Sequence, residues 1–280
     1  MGPKGGEELT KDRWIDELFS LGLEAERAGE DARARSFFSR ILALDPDESG
    51  AYYAIGMLDE KKGDYVRAEK NYRTALRMNP ENRDATFFLA NLMDITGRRD
   101  EAKGLYTLLI HKTSDPMACL NLGSIYEEEG DDIRALHFFD LALKKLVDLP
   151  LAHFNRAVAL AKLGRRDEAI FEYQYAKRLA PENPKPYLNL SALFIAEKND
   201  EASLQVLEEG IGHVEDANLY YNKACALMHL SRPDEAFRSM DRAVRLNSDL
   251  IPYLKEDPDF RDWREDPRYL KYMEANHDHD

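Results

Sequence analysis

Gly63-Asp64-Tyr65-Val66-Arg67-Ala68, followed by Tyr72, Ala75 and Pro80, decides the fold, because the same residue types return along most of the chain. The small residue at Ala68 has counterparts at Ala34, Ala102, Ala135, Ala169, Ala202 and Ala236, at steps of 34, 34, 33, 34, 33 and 34 residues. A glycine five positions earlier recurs at Gly29, Gly63, Gly97, Gly130 and Gly164, and an aromatic four positions later at Phe38, Tyr72, Tyr106, Phe139 and Tyr173. A fixed period of this length marks a stacked-repeat architecture, in which each unit shelters its apolar face on its neighbours.

Each period holds two predicted helices. In the second unit the first runs from about Tyr52 to Lys62, carrying Tyr52, Ile55, Gly56 and Leu58 at helical spacing, and Gly63 ends it by taking positive φ. The second runs from about Tyr65 to Met78, with Ala68, Tyr72, Ala75 and Met78 on one stripe and Pro80 as its stop. Gly56 and Ala68 allow two backbones to approach closely, and Tyr72 fills the wedge beside them.

These residues closely resemble the tetratricopeptide repeat pattern: a small residue on the first helix, then Gly, Ala, aromatic, Ala and Pro. The match is fullest from Tyr52 to Pro80 and nearly as full from Leu122-Gly123-Tyr126 through Gly130, Ala135, Phe139 and Ala142. The resemblance implies an all-α, right-handed solenoid superhelix of about seven helix-turn-helix repeats between about Ile15 and Asn247. Departures are local. Lys198-Asn199 and Ser231-Arg232-Pro233 replace the turn glycine of the sixth and seventh units, and Met240 replaces the aromatic of the seventh. Ile41 and Leu109 stand for the second alanine, and Ser114 and Val147 for the terminal proline.

Composition agrees. The 280 residues are 44% hydrophobic and 33% charged, which suits a helical chain with ample core. No apolar run is long enough to span a membrane, and Met1-Gly2-Pro3-Lys4-Gly5-Gly6 has neither a secretion-signal core nor the Ser or Thr of a myristoylation site. Cys119 and Cys225 form no metal or redox spacing. These features point to a cytoplasmic protein in a reducing compartment. The net charge of −14 speaks against nucleic-acid backbone binding and favours positively charged partners.

The expected organisation is a flexible lead-in over residues 1–13, the repeats over 14–247, a helical cap over 248–274 and a mobile tail over 275–280. Trp14 is expected to shield the open start of the stack. Asp115-Pro116 offers an N-cap and first-turn proline. Asp257-Pro258 and Asp266-Pro267 repeat that device after the last unit, leaving Phe260, Trp263, Tyr269, Leu270 and Tyr272 to cover it. The tail His277-Asp278-His279-Asp280 lacks a preorganised setting, so no metal is assigned to it. No phosphate loop, zinc helix or nucleophile elbow is present, and the seven histidines share no face with paired carboxylates at a catalytic spacing. A non-enzymatic protein without catalytic residue, metal or cofactor is expected.

The resemblance also implies that first helices line the concave, ligand-binding wall. Three residues before the small residue of the first helix (Gly22, Gly56, Ala90, Gly123, Ala157, Ser191 and Ala224) stand Phe19, Tyr53, Phe87, Leu120, Phe154, Leu188 and Tyr221, an apolar row of the kind that marks an interaction surface. Two before it stand Asn121, Asn155, Asn189 and Asn222. An asparagine amide can pair both groups of a peptide main chain, and the row is similar to the asparagine ladders of peptide-binding members of the family. The alternative is that these amides bond only neighbouring helix ends. Four after the small position stand Glu26, Glu60, Asp94 and Glu127, offering a bias toward basic ligands or merely a solvated face.

Asn91 and Asn121 match the two asparagines of the family's chaperone-carboxylate clamp. Phe87, Leu151 and Asn155 replace its cations, so no clamp is expected. The expected function is a monomeric or weakly oligomeric scaffold that binds an extended peptide or partner helix, with no nucleic acid or membrane as partner. A self-assembly module and, less well supported, an RNA-processing repeat protein are the alternatives.

Overall fold

The computed structural model describes residues 10–274. Residues 1–9 of the expected lead-in and the tail from 275, with His277 and His279, lie outside the described residues. The chain divides into two units, Met1–Ile125 and Tyr126–Asp280.

The first unit is built from α1 (Lys11–Arg27), α2 (Asp31–Leu44), α3 (Ser49–Lys61), α4 (Tyr65–Met78), α5 (Arg83–Ile95), α6 (Arg99–Thr113) and the first part of α7 (Pro116–Glu128). Helices α1 and α2, α3 and α4, and α5 and α6 pair as hairpins, and these stack in chain order through α2 on α3 and α4 on α5. Helix α1 starts before Trp14, so the expected lead-in is shorter than residues 1–13. Trp14 is 43% exposed, which makes it a partial shield only. Ile41 and Leu109 are buried where the pattern has alanine, so the stack accommodates the larger side chains as core.

The hairpin turns confirm the expected glycine chemistry. Gly63 has φ +77°, and the other four turn glycines lie between +74° and +79°. The two units without that glycine keep the same backbone, with Lys198 and Ser231 each at φ 58°. The turn geometry is therefore imposed by hairpin packing, and these side chains carry the left-handed strain.

Inside the hairpin a Cβ on Gly56 would lie 2.7 Å from Tyr72 Cε1 and 3.3 Å from the Ala68 carbonyl oxygen. Gly22 meets Phe38 in the same way. Close approach of the two helices thus depends on a missing side chain on one and a flat ring on the other.

The second unit holds the rest of α7, then α8 (Asp132–Lys145), α9 (Pro150–Lys162), α10 (Arg166–Leu179), α11 (Pro184–Ala196), α12 (Asp200–His213), α13 (Ala217–His229) and α14 (Pro233–Leu246). Beyond α14 come a 3₁₀ turn (Ser248–Leu250), α15 (Ile251–Glu256), a second 3₁₀ segment (Pro258–Trp263) and α16 (Pro267–Glu274). Leu254, Phe260, Tyr269 and Tyr272 bury against Leu227, Met228, Phe237 and Met240, closing the end of the last hairpin. Trp263 packs at the margin of this cluster, while Leu270 remains 43% exposed. The Asp-Pro starts work as read: Asp257 accepts from the Asp259 N–H at 2.9 Å and Asp266 from the Arg268 N–H at 2.8 Å. Asp115 likewise caps α7 through the Met117 and Ala118 N–H groups, both at 2.9 Å.

Two helical glycines of the first unit should respond in opposite ways to an added methyl group. Gly104→Ala, with nothing within 4 Å of its Cβ, should stabilise by roughly 0.5–1 kcal/mol. Gly56→Ala should destabilise despite the same propensity gain, because the Tyr72 ring must move. Urea denaturation of both variants checks this, and a stabilised Gly56→Ala would contradict it.

Candidate functional site

The expected site residues stand on first helices, and rings of the second helices pack against several of them. In the first unit Phe19 packs on Phe38 with ring centroids 5.5 Å apart, Tyr53 on Phe88 at 5.5 Å and Phe87 on Tyr106 at 6.2 Å. Each of Phe19, Tyr53 and Phe87 is half-buried, with one side left open. Leu120 departs from the expected row. It is 1% exposed, packed fully into the core of α7's surroundings, and presents no surface to a ligand.

The amides of the first unit form a small network. Tyr106 OH donates to Asn91 Oδ1 at 2.5 Å, and Asn121 Nδ2 donates to Asn91 Oδ1 at 2.9 Å and to Tyr106 OH at 3.3 Å. The two acceptors lie side by side, so one N–H of Asn121 serves both, and its other N–H and its carbonyl oxygen remain. Burial pushes the Tyr106 hydroxyl well above its ordinary pKa, so it stays protonated as a donor.

In the second unit Phe154 packs on Tyr173 at 5.8 Å. Asn189 Nδ2 donates to Tyr173 OH at 3.1 Å, and burial raises the pKa of that hydroxyl. One N–H and the carbonyl of Asn189 remain, while Asn222 makes no hydrogen bond among the described residues. Asn155 follows Phe139, a ring with no hydroxyl, and has an interaction of its own. Leu188 is half-buried. Tyr221 is claimed by the chain itself: its ring lies 6.5 Å from Phe260 and its hydroxyl donates to Asp257 at 2.5 Å.

The acidic row is mostly engaged. Glu60 accepts from Tyr72 OH at 2.6 Å, Asp94 lies 3.5 Å from Arg99 Nε, and Glu127 pairs with Lys162. Glu26 is half-buried and makes no ion pair among the described residues. Asp94 and Glu127 therefore supply less free negative charge than their spacing suggests, because basic side chains reach back to them, while Glu60 keeps its charge under a neutral hydroxyl.

Two histidines do meet carboxylates, through tertiary packing that sequence spacing hides. His153 Nδ1 lies 2.6 Å from Glu172 Oε2 and its Nε2 lies 2.7 Å from the Val147 carbonyl oxygen. Arg156 also holds Glu172, at 2.5 Å. His229 lies between Asp200 Oδ1 at 2.8 Å from Nδ1 and Asp259 Oδ1 at 3.0 Å from Nε2. No ring nitrogen is left for proton transfer to a substrate in either case.

Cys225 also joins Asp257 and Asp259, with ligand-type atoms within 4.8 Å of one another. Asp257 already accepts from Tyr221 OH, the Asp259 N–H and the Cys225 thiol, so the group works as a latch between α13 and the cap. Burial drives both thiols away from the reactive thiolate, Cys119 up to about 11 and Cys225 well above its ordinary value.

Residues 18–146 match the model of the cilia and flagella-associated protein 70 middle TPR-like domain. Residues 150–183 and 217–250 each match a tetratricopeptide repeat. The chain belongs to the tetratricopeptide repeat (TPR) family. No curated protein sequence matches it. PilF of Pseudomonas aeruginosa is similar in structure, with TM-score 0.66 and 19% identity over 72% of this chain and 92% of that one. A TPR protein from Parabacteroides merdae has TM-score 0.60 and 18% identity over 86% and 97%. YrrB, a TPR protein with an unusual peptide-binding site, has TM-score 0.50 and 21% identity over 68% and 98%. These likenesses concern the fold. TPR proteins generally serve as non-enzymatic scaffolds for protein partners, and this fold supports that general role. No described helix is long and apolar enough to cross a membrane.

The His229 bridge gives a pH prediction. Burial opposes the charged ring, but the Asp259 and Asp200 carboxylates outweigh it and raise the pKa above its ordinary 6.5. A pKa raised on folding contributes fully below about 6.5 and is lost as pH rises through the folded-state value. The stability difference between wild type and His229→Gln should therefore shrink from mildly acidic to mildly alkaline pH. Urea midpoints across that range check this, and a constant or growing difference would contradict it.

Proposed function

We propose that this TPR protein is a non-enzymatic adaptor that binds an extended peptide along the first helices of its hairpins. Residues 14–247 form the hairpin array in this reading, and 248–274 its cap. The observation that carries it is the incompletely used amides of Asn189 and Asn222, half-buried at the same position of α11 and α13. A polar group held at a surface with spare hydrogen-bonding capacity favours a ligand that supplies the missing partners.

Phe154 and Leu188 lie one residue before Asn155 and Asn189, so apolar contact and main-chain pairing fall on the same strip. Such a strip reads an extended backbone largely without regard to its side chains. In the first unit Asn91, Asn121, Tyr53 and Phe87 offer the same chemistry. Leu120 is dropped from the contact set, and Tyr221 contributes only the part of its ring that the cap leaves open. The peptide-binding site named for YrrB supports the idea that this fold accommodates such a ligand. A preference for basic partners does not rest on Glu60, Asp94 or Glu127, which already have partners within the chain.

Peptides selected on the wild-type protein from a random unstructured library test this reading. Their affinity should fall by about tenfold or more in Asn189→Ala/Asn222→Ala, as expected for two lost hydrogen bonds of about 1 kcal/mol each. N-methylation of the contacted peptide amides should do the same. Affinity unchanged by both manipulations would rule out main-chain recognition by these residues.

A further inference from the structure

A cavity of about 790 Å³ opens in the second unit between the start of α13 and the capping segment. Asn218 and Tyr221 line it from α13, Asp249 from the 3₁₀ turn, Tyr253 and Glu256 from α15, and Asp257 from the bend that follows. No Lys, Arg or His side chain is among its lining residues.

Several other carboxylates of the same unit are ion-paired. Asp241 is paired with Lys271, Asp234 and Asp266 with Arg268, Glu208 with Lys223 and Glu215 with Arg242. Asp249 and Glu256 have no ion-pair partner among the described residues. Lys255, also on α15, does not line the cavity. Between the two carboxylates in sequence stands Tyr253, which is 69% exposed. Tyr221 forms a second aromatic wall, and the Asp257 latch holds its hydroxyl in place.

We propose that this cavity receives an arginine side chain of the bound partner. A guanidinium is flat and always charged, stacks on aromatic faces and donates in a fork that matches a carboxylate. Stacking on Tyr253 between Asp249 and Glu256, with the Asn218 amide at the rim, uses every one of those properties. The cap then has a recognition role as well as a covering one. The proposal deepens the peptide reading by adding a side-chain anchor beside the main-chain strip, and it rests on that reading for the identity of the partner.

The test uses a probe too small to engage the asparagine row. Nα-acetyl-arginine amide and its citrulline analogue, equal in shape but uncharged, are titrated into the full chain by ¹H–¹⁵N NMR. Saturable shifts centred on Asn218, Leu250, Tyr253 and Glu256 are expected, with citrulline at least fivefold weaker. Asp249→Asn/Glu256→Gln should abolish the preference for arginine, and Tyr253→Ala should weaken arginine at unchanged thermal stability. Equal binding of the two probes, shifts scattered over the acidic surface, or no saturation would overturn the proposal. Failure of the peptide reading shows instead as unaltered peptide affinity in the asparagine variants, so the two results are separable.

Discussion

The first two hairpins depend on the contact between a missing side chain on one helix and an aromatic ring on its partner, and later repeats have glycine, alanine or serine at the same place. Gly56 against Tyr72 and Gly22 against Phe38 set how closely two helices approach. Where the ring is a tyrosine, its hydroxyl extends past the packed interface to the first-helix surface. Tyr72 reaches Glu60, Tyr106 reaches Asn91 and Asn121, and Tyr173 reaches Asn189. One residue type thus fixes the hairpin and orients the polar wall beside it. The hydroxyls sit in low-dielectric surroundings, which strengthens each bond and disfavours their ionisation.

Much of the fold was legible in the sequence because it repeats. The spacing from Gly63 to Ala68 and Tyr72 identified the hairpins, and α4 runs from Tyr65 to Met78 as that spacing predicts. Lys198 and Ser231 looked like breaks in the pattern, yet their backbone matches the glycines they replace. A one-letter pattern records which residue is cheapest at a position and not which backbone the neighbours impose. The Asp-Pro starts of the capping segment were legible for the opposite reason, since an N-cap followed by proline is a wholly local signal.

The wall was only half legible. Phe19, Tyr53, Phe87 and Phe154 are half-buried, but helical spacing gave no warning that Leu120 is sealed in the core. Nor could it show that Glu127 is claimed by Lys162, or that Tyr221 is taken by Asp257 and Phe260. Each of these depends on a residue roughly one repeat away, whose reach is set by packing and not by spacing along one helix. The histidine bridges were missed for the same reason: His229 meets Asp200 and Asp259 only after α12, α13 and the cap have assembled.

The central claim is that buried tyrosine hydroxyls hold Asn91, Asn121 and Asn189 in place. Tyr173→Phe keeps the ring and removes the single atom that bonds Asn189. Side-chain amide exchange of Asn189, followed by NMR in the unliganded protein, tests the claim most directly. The account predicts slowed exchange in the wild type and faster exchange in Tyr173→Phe, with Asn222 unchanged. Equal exchange at Asn189 in the two proteins would contradict it.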